Sequence, residues 1–82
     1  MKIRNLAMNQ IIVETGDGSY FQSYQKIIAQ IKGGIITLDK NYYDFSKTTR
    51  KYRNIFLNLT SSEIKKKIKD GVIKLAELNP SD

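Results

Sequence analysis

Eight of the chain's fourteen lysines and arginines fall between Lys47 and Lys69, a stretch whose one acid is Glu63. Eight bases against one acid give that stretch +7; the remainder holds six bases against seven acids, and the two parts make up the net +6. A field this regional attracts an anionic partner. Lys47, Arg50, Lys51 and Arg53 are spaced to neutralise phosphates, with Tyr43 or Tyr52 available to stack on a base, as in single-strand binders. The same groups suit an acidic protein surface, where Arg and Tyr make the best anchors. Lys65, Lys66 and Lys69 extend the patch. The plainer account is a solvated helix face that maintains solubility, and composition alone does not choose between them.

Other chemistry is thinly supplied. The chain has no cysteine and no histidine, which removes thiol nucleophiles, Cys-based zinc sites and the commonest general base. Asp39 and Asp44 with Glu63 and Lys65 would suffice to hold Mg²⁺ in a nuclease. Their spacing is unspecific, and Asp39 and Asp44 fit better as strand-ending and turn residues. Ser46-Lys47-Thr48-Thr49 gathers hydroxyls as a phosphate cradle does, but it lacks the glycines of a P-loop, so capping is the better role. No catalytic residue, metal ligand or cofactor is therefore expected. Gln22, Tyr24 and Tyr42 form a second candidate surface, aromatic and hydrogen-bonding, of the sort found at protein interfaces. Cross-strand pairing within a sheet would account for them equally well.

The elements that must hold these groups follow from turn signals and periodicity. Gly16-Asp17-Gly18 and Lys32-Gly33-Gly34 predict hairpin turns between segments rich in Ile, Val, Thr and Tyr. They delimit a meander of Gln10–Thr15, Tyr20–Ile31 and Ile35–Asp39, continuing through Tyr42–Phe45. Tyr20–Ile31 is ambiguous: Phe21, Tyr24, Ile28 and Ile31 recur at helical steps, and periodicity slightly favours helix. As a strand, it would set Phe21, Ile27, Ala29 and Ile31 on one face. Thr48–Leu57 predicts a helix with Thr48, Tyr52, Ile55 and Phe56 inward and Lys47, Arg50, Lys51 and Asn54 outward. Thr60 and Glu63 form a capping box, Leu59 and Ile64 a hydrophobic staple, and Gly71 suits the C′ position of the helix that results. Val72–Leu78 reads as a closing strand with Ile73 and Leu75 inward.

With 40% apolar residues the 82-residue chain is expected to fold as one basic domain, residues 79–82 being a frayed tail. The opening Met1-Lys2-Ile3-Arg4 is not followed by an apolar stretch, so a cytoplasmic protein without membrane contact is expected.

Gln22-Ser23-Tyr24 with Ile27-Ile28-Ala29, Leu38-Asp39, Tyr43-Asp44-Phe45-Ser46-Lys47-Thr48-Thr49, Lys51-Tyr52-Arg53-Asn54, Phe56-Leu57, Gly71, Leu75 and Leu78-Asn79 resembles a family of small uncharacterised proteins of bacteriophages and prophages. The shared pattern runs QSYxxIIA, then LD, then YDYSxTTxKYRxxFL, and spans about residues 11–79. Phe45 stands where the family usually has Tyr, and Ile35-Ile36 is more apolar than the usual loop. The resemblance implies hairpin strands for Tyr20–Ile31 and a mobile-element origin. Small phage accessory proteins often bind and disable a host machine, CRISPR nucleases included.

The fold expected is α+β: an antiparallel meander of three to five strands with one or two short helices on one face. The function expected is a non-enzymatic accessory protein that modulates or inhibits a host macromolecular machine, such as an anti-CRISPR or other anti-defence inhibitor. Its partner would be a host protein or ribonucleoprotein with an acidic or nucleic-acid-lined groove. The alternatives are a single-stranded nucleic-acid-binding protein of phage replication or expression, and a small structural protein that forms homo-oligomers.

Overall fold

The computed structural model describes residues 1–80 and shows an α+β domain. Strands β1 (Lys2–Ala7), β2 (Gln10–Glu14), β3 (Ser19–Ser23), β4 (Lys26–Lys32) and β5 (Ile35–Asp39) form an antiparallel meander. Helices α1 (Lys47–Leu57) and α2 (Ser61–Lys69) follow, and β6 (Lys74–Ala76) returns to pair with β5 in parallel. The sheet order is sequential, β1 to β6. The meander has five strands, within the three to five expected, since Lys2–Ala7 pairs as an edge strand and Tyr20–Ile31 is two strands, and β6 lies within the expected closing strand Val72–Leu78.

The hairpin that splits Tyr20–Ile31 has no glycine. Tyr24 and Gln25 both take left-handed backbone angles, φ 49° and 70°, as a two-residue type I′ connection requires. Each non-glycine residue there costs roughly 1–2 kcal/mol, which is why sequence rules look for Asn or Gly instead. The Tyr24 N–H donates to the Asn9 carbonyl at 3.0 Å, tying this tip to the β1–β2 turn. The β4–β5 turn is the expected one, with Gly33 and Gly34 at φ 59° and 77°.

Register places the core. Ile12, Phe21, Ala29 and Leu38 are cross-strand neighbours in one row, continued by Leu75 at the sheet edge. The first four are fully buried, but Leu75 remains 43% exposed, since β6 is a short edge. A bulge between the pairs Phe21–Ala29 and Gln22–Ile27 leaves Ile28 as the extra residue. Ile28 therefore turns into the core beside Ala29, while Ile27 shares the opposite face with Gln22. This reverses the facing that strict alternation predicts for that pair.

Both helices lie on the core face. Phe56 of α1 stacks on Phe21 with centroids 6.0 Å apart, and Ile64 of α2 is buried beside Leu57 and Ile73. The α2 capping box forms as expected, Thr60 Oγ1 accepting from the Glu63 N–H at 3.1 Å and Glu63 Oε1 from the Thr60 N–H at 2.9 Å. Leu59 packs against the same cluster.

Helix α1 is rotated from its expected setting. Thr49, Arg53 and Leu57 form its buried line, while Thr48 is exposed and Ile55 is 54% exposed. A hydroxyl chain fixes this rotation: Ser23 Oγ and Thr49 Oγ1 are 2.9 Å apart, and Ser46 Oγ donates to Thr49 Oγ1 at 3.0 Å. Ser46 also caps the helix by accepting from the Thr49 N–H.

Tyr42–Phe45 is a turn rather than a strand. Asp39, 1% exposed, holds it: Oδ2 accepts from the N–H groups of Asn41 and Tyr42 at 3.0 and 2.8 Å. Its Oδ1 accepts from the Leu78 N–H at 2.8 Å, binding the C-terminal segment to the end of β5. Asn79 is no part of a frayed tail. Its side-chain amide donates to the Ile27 carbonyl and accepts from the Ile27 N–H, both at 2.9 Å, taking the place of a strand residue beyond the end of β5. The remainder of the expected tail, Ser81 and Asp82, lies outside the described residues.

Candidate functional site

The expected cationic patch resolves into three groups with different roles. Arg53 belongs inside. It is 2% exposed, its Nη1 donates to the Tyr43 carbonyl at 2.7 Å, and its Nε and Nη2 donate to Asn54 Oδ1 at 3.1 and 3.0 Å. Burial pushes its guanidinium below the usual arginine range, with the nearby Asp44 carboxylate acting in the opposite direction. Arg53 is thus a correction to the expected contact set. Its fork clamps the turn that precedes α1 onto the helix and is spent there.

The second group crowds the start of α1. Lys47 and Lys51 are exposed, and Arg50 is half-buried with its Nε 3.7 Å from Asp44 Oδ1. Lys51 Nζ sits 5.3 Å from the centroid of Tyr52, which is half-buried against the core cluster and so is no open stacking platform. The first turn of α1 contains no acid and its last turn no base. Lys47 and Arg50 therefore sit in the first turn, where the helix dipole is already positive, which costs stability. The third group is the reverse. Helix α2 has Glu63 in its first turn and Lys66, Lys67 and Lys69 in its last, all in accord with the dipole, and Lys66 Nζ pairs with Asp70 at 3.2 Å. Helix stability accounts for Lys66, Lys67 and Lys69 and leaves Lys65 and the cations of α1 unexplained.

Between the two helices lies a cleft of about 260 Å³ lined by Tyr43, Asp44, Arg50, Arg53, Ser61, Ile64 and Lys65. Arg53 Nη1 lies 3.6 Å from the same Asp44 oxygen that faces Arg50, so one half-exposed carboxylate bridges two arginines. Ser61 Oγ accepts from Asn54 Nδ2 at 3.0 Å and from Arg53 Nη2 at 3.4 Å. The fold thus brings Tyr43, Arg50, Arg53 and Lys65 together at one cleft.

The second expected surface is not gathered. Gln22 lies on the helix-free face of the sheet, opposite Ile11 and Ile27. Tyr24 is exposed at a hairpin tip. Tyr42 packs against the core cluster and has Lys26 Nζ 5.2 Å from its ring centroid.

One residue escaped sequence reasoning. Phe45 is 61% exposed in the turn just before Lys47, its ring in edge contact with Tyr42 at 5.9 Å. Its signal was a large aromatic outside any apolar period. Asp39, offered above for a metal, has both oxygens on backbone N–H groups.

Fold and surface together define a small α+β domain that carries a cationic, aromatic-edged face at the start of its first helix. The chain belongs to a family of unknown function, DUF8033, whose model matches residues 2–71. No curated protein matches it. No solved structure matches it either. Among the described residues, no helix is long and apolar enough to cross a membrane.

Proposed function

We propose that this protein is a non-enzymatic accessory protein that docks through the start of α1 and the Phe45 turn onto an acidic or nucleic-acid-lined groove of a macromolecular machine. Docking there modulates or inhibits the machine. The observation that carries this reading is the placement of Lys47 and Arg50 in the first turn of α1, against its dipole, with Lys51 next to them and an exposed Phe45 just ahead. Stability does not reward that arrangement, whereas a contact surface does: the cations steer and the aromatic anchors. An anti-defence inhibitor within a host cytoplasm is the concrete form that the phage resemblance implies.

The test is capture of partners from host lysate, with and without nuclease treatment, by the parent and by a Lys47→Glu, Lys51→Glu variant. Both positions are exposed, so the variant should keep its fold. Loss of a nuclease-resistant partner in the variant is the expected result; unchanged capture ends the reading. Direct binding of single-stranded nucleic acid is the second reading, favoured by Lys47, Lys65 and Lys69, which have no ionic partner among the described residues. Gel-shift affinity that falls steeply with salt would support it.

A further inference from the structure

We propose that the cleft between the Tyr43–Asp44 turn and the two helices is a receptor for a phosphomonoester, in particular the terminal phosphate of a nucleic-acid strand. This rests on the cleft and shares only Arg50 of its lining with the docking reading.

Charge is the first argument. Arg50, Arg53 and Lys65 against Asp44, three cations to one carboxylate, leave the lining at +2. A phosphomonoester carries about −1.5 to −2 at neutral pH, whereas a carboxylate or an internal phosphodiester carries a single charge. Of these three, the monoester balances the site.

Unspent donors are the second. Ser61 Oγ already accepts two hydrogen bonds, so its own O–H proton is free to donate. The charged contact of Arg50 is one Nε–Oδ1 approach of 3.7 Å, beyond hydrogen-bond length, and its two terminal nitrogens are uncommitted. Lys65 makes no hydrogen bond or ion pair among the described residues. A fork engaged only by the long approach to Asp44, an unpaired ammonium and a hydroxyl proton thus line one space. Arg53 supplies a fixed positive floor, locked by the Tyr43 carbonyl and Asn54, so ordering it costs the ligand nothing.

Size is the third. About 260 Å³ falls below the range of pockets that enclose a drug-sized molecule, so the cleft takes a terminal group and leaves the rest of the ligand outside. Exposed Lys47 and Lys51, farther along the same helix edge, remain for the phosphodiesters that follow. The anion sits on the Ser61–Lys65 side, since Asp44 repels it from the other.

The test uses the full chain, isotopically labelled, titrated with inorganic phosphate and with short single-stranded oligonucleotides that differ only in a 5′-phosphate or a 5′-hydroxyl. The phosphorylated strand should bind about tenfold tighter, as two charge-assisted hydrogen bonds allow. Resonances of Arg50, Ser61 and Lys65 should shift, inorganic phosphate should compete for the same signals, and Arg50→Gln and Lys65→Gln should each cut the preference to less than about threefold. Equal affinity for the two strands overturns the proposal, as does a preference that survives both variants or shifts confined to another surface. Phosphate binding in the cleft without discrimination between strands overturns it too. Failure of the docking reading would appear elsewhere, in the capture experiment with Lys47 and Lys51 reversed, which leaves the cleft lining intact.

Discussion

Replacing Arg53 by methionine should cost about 2–3 kcal/mol, while the same change at Arg50 should cost less than about 0.5 kcal/mol. The two differ by three positions on one helix, yet Arg53 is 2% exposed and Arg50 half-buried. Methionine retains the packed stem of Arg53 but removes its donors. The largest loss is the 2.7 Å bond to the Tyr43 carbonyl, a charge-assisted hydrogen bond worth roughly 1.5–3 kcal/mol. The Asn54 carboxamide oxygen loses two further donors. Asp44 loses an arginine neighbour, but it is 54% exposed and hydrated, so that loss is small. Relief of the desolvation that depresses the Arg53 pKa offsets part of the total. A chain of this length has about 4–12 kcal/mol of stability in all, so the variant loses a substantial share. Urea unfolding followed by circular dichroism is the assay. At an m-value near 1 kcal/mol per molar, the midpoint should fall by about 2–3 M with m unchanged. Arg53→Lys should not restore it, because an ammonium cannot span the Tyr43 carbonyl and Asn54 as a planar fork does. If Arg53→Met unfolds with the parent's midpoint, Arg53 is not the clamp described here and the expected surface role returns.

Three further outcomes follow from local geometry. Asn79→Ala strips both partners from the Ile27 peptide, so stability should fall by about 1–2 kcal/mol and amide exchange at Ile27 should accelerate; unchanged exchange there would count against the clasp. A Cβ on Gly18 would meet the Ile31 carbonyl oxygen at 2.3 Å, so Gly18→Ala should destabilise by about 1–3 kcal/mol, whereas Gly16→Ala, with open space around it, should be neutral in the same melt. The backbone N–H of Thr60, together with its hydroxyl, holds the Glu63 carboxyl below its ordinary value of 4.5. Its contribution to α2 is therefore complete above that value and is lost as pH falls through the depressed one. Exchange of α2 amides should rise in that acid range, and Glu63→Gln should flatten the dependence.

How much of this was legible depended on whether a feature was written in residue type or in register. The capping box of α2 was readable, because Thr60 and Glu63 identify themselves by chemistry at a fixed spacing. So was the Gly33-Gly34 turn. The Tyr24-Gln25 turn was not: its left-handed residues have side chains that ordinarily avoid that region, and only the paired strands on either side compel it. The bulge at Ile28 was equally hidden, since two adjacent isoleucines give no sign of which one turns inward. The rotation of α1 was lost for a related reason. Hydropathy ranks Ile55 above Thr49 and Arg53, but Ser23 and Tyr43 supply the partners that make the polar line the buried one. The cleft could not be foreseen, because Lys65 meets Arg50 only through packing of helices whose angle no periodicity encodes.

Many of the polar side chains of this domain are used up in holding the chain together. Ser23 and Thr49 meet in the buried hydroxyl chain, and Ser46 caps α1. Asp39 and Asn79 fasten the C-terminal segment at Leu78 and Asn79 to the ends of β5 and β4, and Arg53 locks the turn through the Tyr43 carbonyl. The cations Lys47, Arg50 and Lys65 are placed differently. None of the three serves the internal network apart from the long approach of Arg50 to Asp44. Recognition chemistry is therefore to be sought in these three cations and the exposed Phe45, where the scaffold makes no demand of its own and a partner can.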